Sequence, residues 1–498
     1  IDGAVNNDVF GLSAQGTNGG QTGTTPISLD AIEQFQINLS PYSVTQGGFT
    51  GGAINAITRS GTNTFEGSAY YFRRSQGLAG KTPSAVIDAE GGEREELPAF
   101  TNNRLGFRLG GPIVKDKLFF FANLEFLKSE TPQPFAGNYS GAAGISGLQN
   151  LRQFLIDETG YDPGSFGDAE STLDSDQALF KLNWNISQNH KLMARHSYVK
   201  ANNVDGFGSS SFNINYSGRN EVFPSTTNST ALELSSTFGN NKANKFILGY
   251  TRVRDDRGVN GEAFPTVDIE DGDGEIFLGN EPFSTANILE QDIFTITNDF
   301  SLFLGDHTLT IGTHNEFYDI ANLFIPFNYG WYFFSDQNAN GTGLDEFRQS
   351  VQAVNDPNVD PALSFVLRGF SLVGDNSNVG DASENIGAFN AYQLGFYVED
   401  EWQVNNDFRL TGGLRFDVPG ITTNPRFAPD VFETTIPDLQ QFYDLNGATP
   451  GEPPSSQLYV SPRVGFNVDV SGEKTTQIRG GAGMFLGGFH LYGQAECT

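Results

Sequence analysis

The feature that most restricts this chain is a two-residue hydrophobic rhythm that returns from Phe65 almost to the end. In "YQLGFYVEDEW", Tyr392, Leu394, Phe396, Val398 and Trp402 fall on one side, while Gln393, Gly395, Tyr397, Glu399 and Glu401 fall on the other. "DFRLTGGLRFD" sets Phe408, Leu410, Leu414 and Phe416 against Arg409, Thr411, Arg415 and Asp417. "SPRVGFNVDV" opposes Val464, Phe466 and Val468 to Arg463, Gly465 and Asn467, and earlier Leu105, Phe107 and Leu109 oppose Arg104 and Arg108. A period of two is that of strands with one oily and one wet face, not of helices. The pattern places about thirteen strands of about ten residues each.

The connections alternate as well. Short turns built from Gly, Asn, Asp or Ser lie near 113–117, 187–190, 240–244, 305–306, 404–407 and 471–473. Between them fall long segments near 75–102, 130–175, 201–229, 255–292, 320–389 and 419–458. Short turns on one side and long loops on the other are the mark of a transmembrane antiparallel β-barrel, and segments of about ten residues suit a tilted strand crossing a bilayer. Closure satisfies every backbone polar group where no water is available. Tyr71, Phe72, Tyr198, Phe317, Tyr318, Trp402 and Phe485 are candidates for the interfacial aromatic girdles.

Composition excludes several functions. The 29 basic residues are outnumbered by 59 acidic ones, a net charge of −30 with no basic stripe, so nucleic acid is not an expected partner. The single cysteine, Cys497, excludes a disulfide framework, and the five histidines show no metal-binding spacing. Acidic segments at 88–96, 268–275 and 430–438 lack strand periodicity and read as solvated loops. Within the second, Asp271, Asp273 and Glu275 are candidate ligands for Ca²⁺, although the EF-hand spacing is incomplete; no other cofactor is expected. No pair of carboxylates is singled out for catalysis, and an enzyme is not expected.

Ahead of the first barrel segment stands "QGGFTGGAINAITRSGT", residues 46–62, whose glycines allow close backbone approach. A phosphate-binding loop would lead into a helix, whereas another β segment follows here. Ala31-Ile32-Glu33, the alternating Phe35 and Ile37, Gly51-Gly52, Ile54-Asn55 and Thr58-Arg59-Ser60-Gly61 together form a specific string. It resembles the end of the plug and the start of the barrel in TonB-dependent outer-membrane receptors, most closely their Oar-like branch. "DGAVNNDVFGL" and the later strand pairs are similar to the same branch.

The resemblance implies a 22-stranded barrel with a plugged lumen, of which residues 1–64 would be the C-terminal part of the plug and residues 65–498 part of the barrel. It implies an internal piece of a longer Gram-negative outer-membrane transporter. That protein would move a ligand with energy from the TonB–ExbB–ExbD complex, coupled through a segment outside this chain, in contact with outer-membrane lipid and lipopolysaccharide. Gly51, Gly52, Asn55, Thr58 and Arg59 would be the plug motif, with Arg59 facing a wall carboxylate. Phe327, Tyr329, Trp331, Tyr332 and Phe333, in a long loop, would contact the still unidentified ligand or else extend a strand above the membrane. Arg104, Arg108, Arg409, Arg415 and Arg463 would pack against the plug. A secreted or surface-exposed β-rich adhesin or scaffold shares the acidity and long loops, but it does not require an oily face on every strand.

Overall fold

The computed structural model describes residues 1–39, 42–48, 52–81, 94, 96–336, 342–356, 358–359, 365–371, 382, 386–424, 431–444, 453, 455–473 and 475–487. A two-stranded sheet comes first, β1 (Ile32–Leu39) with β2 (Gly52–Thr58). There follow β3 (Glu66–Ser75), β4 (Thr101–Val114), β5 (Leu118–Gln133), β6 (Ala169–Asn185), β7 (His190–Asp205), β8 (Asn213–Asn215), β9 (Glu221–Phe238), β10 (Lys242–Val259), β11 (Thr266–Asp271) and β12 (Gly274–Leu278). The later strands are β13 (Asn287–Leu304), β14 (His307–Phe324), β15 (Trp331–Phe334), β16 (Phe365–Gly369), β17 (Gly387–Asn405), β18 (Phe408–Ile421), β19 (Tyr459–Asp469) and β20 (Gln477–Gly483).

Thirteen of these form one antiparallel sheet, the wall, in the order β20-β19-β18-β17-β14-β13-β10-β9-β7-β6-β5-β4-β3. The alternation read from the sequence is obeyed. Phe107, Phe180, Leu232, Phe294, Phe317, Phe396, Leu414 and Val464 stand exposed on one face. Glu125, Lys181, Arg195, Gln291, Glu316, Arg415 and Arg463 are buried on the other. Residues 1–39, 42–48 and 52–58 account for that inversion, because they run along the polar face and touch every wall strand. Asp30 meets β3 and β4, Ser28 meets β5, Asp2 meets β6 and β7, and Ala4 packs on β9 and β10. Phe10 clusters with β13 and β14, while residues 42–46 contact β17 to β20.

Several expectations are corrected. The strands reach 19 residues rather than about ten, roughly 60 Å of strand and well over a bilayer crossing. Tyr318 is buried on the polar face, donating to Glu316, and Phe72 lies tilted against Tyr70 on that same face. Phe485 lies against Tyr42 and Arg463, so these three are not girdle residues.

Among the described residues, four of the long connections are not irregular. Four segments joining five successive wall hairpins build a second body, the cap; three of them supply its sheet, of order β16-β15-β11-β12-β8 with two parallel pairings, β11 with β15 and β12 with β8. Its order follows that of the hairpins that feed it. The helix Gly144–Thr159 turns Leu148, Leu151 and Leu155, all fully buried, toward this sheet and ends at Gly160, whose φ of 77° suits glycine. A second helix, Gly343–Asn355, starts at a Thr342/Asp345 capping box and adds Leu344, Phe347 and Val351. Ile214, Val267, Ile269, Ile276, Leu278 and Phe334 complete the core from the sheet.

The acidic segment 268–275 is therefore a hairpin and not a loop without strands. Its alternation explains a further correction. Asp271 pairs with Gly274 and Glu270 with Glu275, which puts Asp271 and Glu275 on opposite faces. The Asp271 carboxylate accepts the Ala143 N–H at 3.0 Å. Among the described residues no group of three or more His, Cys, Asp or Glu is arranged to hold a metal ion, so Asp271, Asp273 and Glu275 do not form the expected Ca²⁺ site.

Candidate functional site

The conspicuous chemistry lies where the N-terminal segment meets the wall. Thr58 is fully buried at the end of β2. Its N–H and hydroxyl both donate to the Asp2 carboxylate, at 2.9 and 2.6 Å, and its carbonyl accepts from Lys181 Nζ at 3.0 Å. Lys181 and Arg195 come within 3.4 and 3.7 Å of Asp2. All three are nearly water-free, so removing either partner would strand a buried charge. Asn55 reaches Gly3 N–H and Gln36, and Gly52 pairs with Leu39 in the β1–β2 hairpin. Gly51 lies outside the described residues. Arg59 donates to the Asp30 carbonyl at 3.2 Å, a contact within its own segment and not with a wall carboxylate.

Residues 42–47 are held differently, through their backbone. Glu399 accepts from Val44 N–H at 2.7 Å and from the Ser43 hydroxyl at 3.0 Å. Arg415 donates to the Val44 carbonyl, and Arg463 to those of Ser43 and Gln46. Arg415 is fully buried, paired with Asp417 at 2.9 Å. Glycine makes the fit possible: a Cβ at Gly47 or Gly395 would stand 2.4 Å from the Arg415 guanidinium, and one at Gly413 2.6 Å from Val44.

Of the five wall arginines expected to pack against this segment, Arg108, Arg415 and Arg463 bond to it directly. Arg104 acts through Glu125, which also accepts from Ser28 and Tyr70. Arg409 instead pairs with Glu401 on the wall. Asp2, Lys181, Arg195 and Glu399 were not singled out from sequence. Position on the wet side of a strand marks Lys181, Arg195 and Glu399, but nothing local marks Asp2 as their partner.

The aromatic loop is divided by the cap. Trp331 and Phe333 share one face of β15, and Tyr332 packs with the core on the other. Trp331 Nε1 donates to the buried Asp268 at 2.7 Å, and Phe327, at φ 57°, stacks against Trp331. Tyr329 precedes the strand, so the five residues do not present one stacking surface.

A family model described as "Outer membrane beta barrel domain" matches residues 57–154 and 133–496. The TonB-dependent transporter Oar of Myxococcus xanthus is 31% identical over 210 residues, which cover 39% of this chain and 17% of that protein. In fold, the chain is similar to the outer membrane transporter YddB from Escherichia coli, with TM-score 0.54 and 14% identity over 93% of this chain and 48% of that one. P. aeruginosa FpvA bound to heterologous pyoverdines gives TM-score 0.50 and 13% identity over 91% of this chain and 46% of that one. The chain spans about half the length of these two structures and matches a smaller share still of the Oar relative.

Proposed function

This chain belongs to the outer-membrane β-barrel domain family, and we propose that it forms the wall and inner plug segment of a TonB-dependent transporter. Its place is the outer membrane of a Gram-negative bacterium. Residues 1–64 act as part of the plug and residues 65–498 as part of the barrel with its extracellular loops. A ligand binds from outside, and force delivered by the TonB–ExbB–ExbD complex rearranges the plug. Gly52, Asn55, Thr58 and Arg59 serve as its structural motif, and the work is transport without covalent chemistry.

One observation carries this reading: the described residues of the segment 1–58 contact all thirteen wall strands on a polar face while the opposite face is oily and bare. A wall built in this sense suits lipid outside and a removable polar filling inside. The test uses Asn55→Cys with Cys497→Ser, labelled by a membrane-impermeant maleimide in intact cells. Labelling that rises in energised cells with TonB and falls without it supports the proposal; equal labelling in both overturns it. Heat-modifiability in detergent checks the barrel first, since a chain that is soluble and shows no shift on boiling has no membrane wall to plug.

A further inference from the structure

At the short-turn end of the wall, away from the cap, lies a recess of about 520 Å³. Thr45 forms one side, and the rest comes from the β6–β7 turn and from β7, β9, β10, β13 and β14. Gly3 lies above it, where a Cβ would stand 3.5 Å from Lys245 Nζ. Register explains the chemistry: Asn185, Lys191, Ser235, Lys245 and Asp299 follow one another across neighbouring strands. The first four lie an even number of residues from the buried Lys181, Arg195, Ala231 and Ile247, hence on the same polar face. Lys191 and Lys245 therefore stand about 10 Å apart, with Ser235 between them.

The charges in this recess are not equivalent. Lys245 is bound to Glu233 at 3.2 Å, and Glu233 also accepts the Ser235 hydroxyl at 2.9 Å. Asp299, further along the row, accepts the Tyr397 hydroxyl at 2.5 Å. Lys191 differs, because among the described residues the lysines in ion pairs are Lys128, Lys181 and Lys245. Gln188, Asn189 and Thr237 belong to the same lining, and among the described residues their side chains make no hydrogen bond either. Backbone pairing draws this corner together, since the Thr237 N–H donates to the Asn189 carbonyl at 2.9 Å. One unpaired ammonium and three neutral donors thus share a corner, while the carboxylate two residues along β9 is already taken.

We propose that the recess binds a solute carrying a carboxylate or phosphate group, which Lys191 meets by charge while Gln188, Asn189 and Thr237 donate hydrogen bonds to its oxygens. Such charge-assisted bonds are stronger than neutral ones, and the volume falls within the range of small-molecule sites. The chain as a whole carries −30, so the sign of this corner is opposite to that of the surface at large. On the transport reading above, a ligand passes this corner last before the periplasm, which makes the ligand an anion. The binding itself needs only the fold.

The full chain with Ala243→Cys and Cys497→Ser puts one thiol in the recess, opposite Thr237 in register. Refolded in detergent and checked by its heat-shifted band, it is labelled with a sulfonatoethyl (negative) or a trimethylammonioethyl (positive) methanethiosulfonate. Relative to free cysteine, the negative reagent is expected to be favoured about fivefold, and less so in high salt. Inorganic pyrophosphate or citrate should slow labelling saturably, with about tenfold more of either needed in Lys191→Gln. Asn189→Asp, at an exposed turn, shifts protection the same way and guards against a folding effect of the first change. No slowing by either anion, equal slowing by uncharged maltose, or a response unchanged in both variants overturns the proposal. If protection holds while labelling of Asn55→Cys does not depend on TonB, the transport reading falls and the anion site stands.

Discussion

The wall and the cap belong to one chain but were built for different surroundings. In the cap, Leu148, Leu151, Ile269 and Ile276 vanish into a core and polar groups look outward, as in any water-soluble domain. In the wall, Phe180, Leu232 and Phe396 stay outside while Arg195, Lys181 and Arg415 are buried. Hydrophobic burial therefore holds the cap together, whereas the wall is held by its continuous ladder and by polar contacts with the segment it surrounds. The same side chain has opposite value in the two regions.

That contrast can be attacked by substitution. The largest effect is expected for Arg415→Ala, which strands the buried Asp417 and frees the Val44 carbonyl; the cost is about 4 kcal/mol, read as earlier chemical unfolding with increased protease access to residues 42–48. Leu151→Ala opens a cavity in the cap core and costs about 3 kcal/mol. Limited proteolysis should then cut around residues 130–168 while the heat-shifted gel band of the wall persists. Loss of both together would show that wall and cap are a single cooperative unit.

Leu232→Arg places a charge on the oily face and should cost about 2 kcal/mol of folding into lipid vesicles, with little effect on cap proteolysis. Gly413→Ala pushes a methyl against Val44 and should cost about 1 kcal/mol, loosening residues 42–47 alone.

The smallest effect is one of pH in the cap. Arg152 holds the Asp162 carboxyl down at about 2 through paired hydrogen bonds. A depressed carboxyl stabilises above its ordinary value near 3.8 and loses that contribution as pH falls toward 2. Both side chains are about half exposed, so the effect should stay below about 0.5 kcal/mol and vanish in Asp162→Asn, as followed by proteolysis of the cap between pH 5 and 2.

The two regions also differed in how far the sequence disclosed them. Wall strands are neighbours in sequence, joined by short turns such as "SQNH" and "GD", so local periodicity and turn chemistry give both strands and pairing. The cap strands are three to six residues long and pair across loops far apart in the chain, Thr266 with Trp331 and Glu275 with Asn213. Two of those pairings are parallel, and no hairpin signal announces them. Asp268 and Glu270 made β11 look like solvated loop, because their burial depends on Arg219, Arg368 and Ser335 from elsewhere. In the candidate site, the motif string located Thr58 and Arg59, but Asp2 and Lys181 are 179 residues apart and meet only through the fold.

The shared order of wall hairpins and cap strands bears on the ligand recognition proposed above. The three loops whose described strands lace into one sheet have already given up much of their conformational freedom during folding. A molecule arriving at this surface meets a template set beforehand, so little of its binding free energy goes into ordering loops. Such a surface discriminates by shape and charge at first encounter, and one substitution in the common sheet would alter what all three loops present.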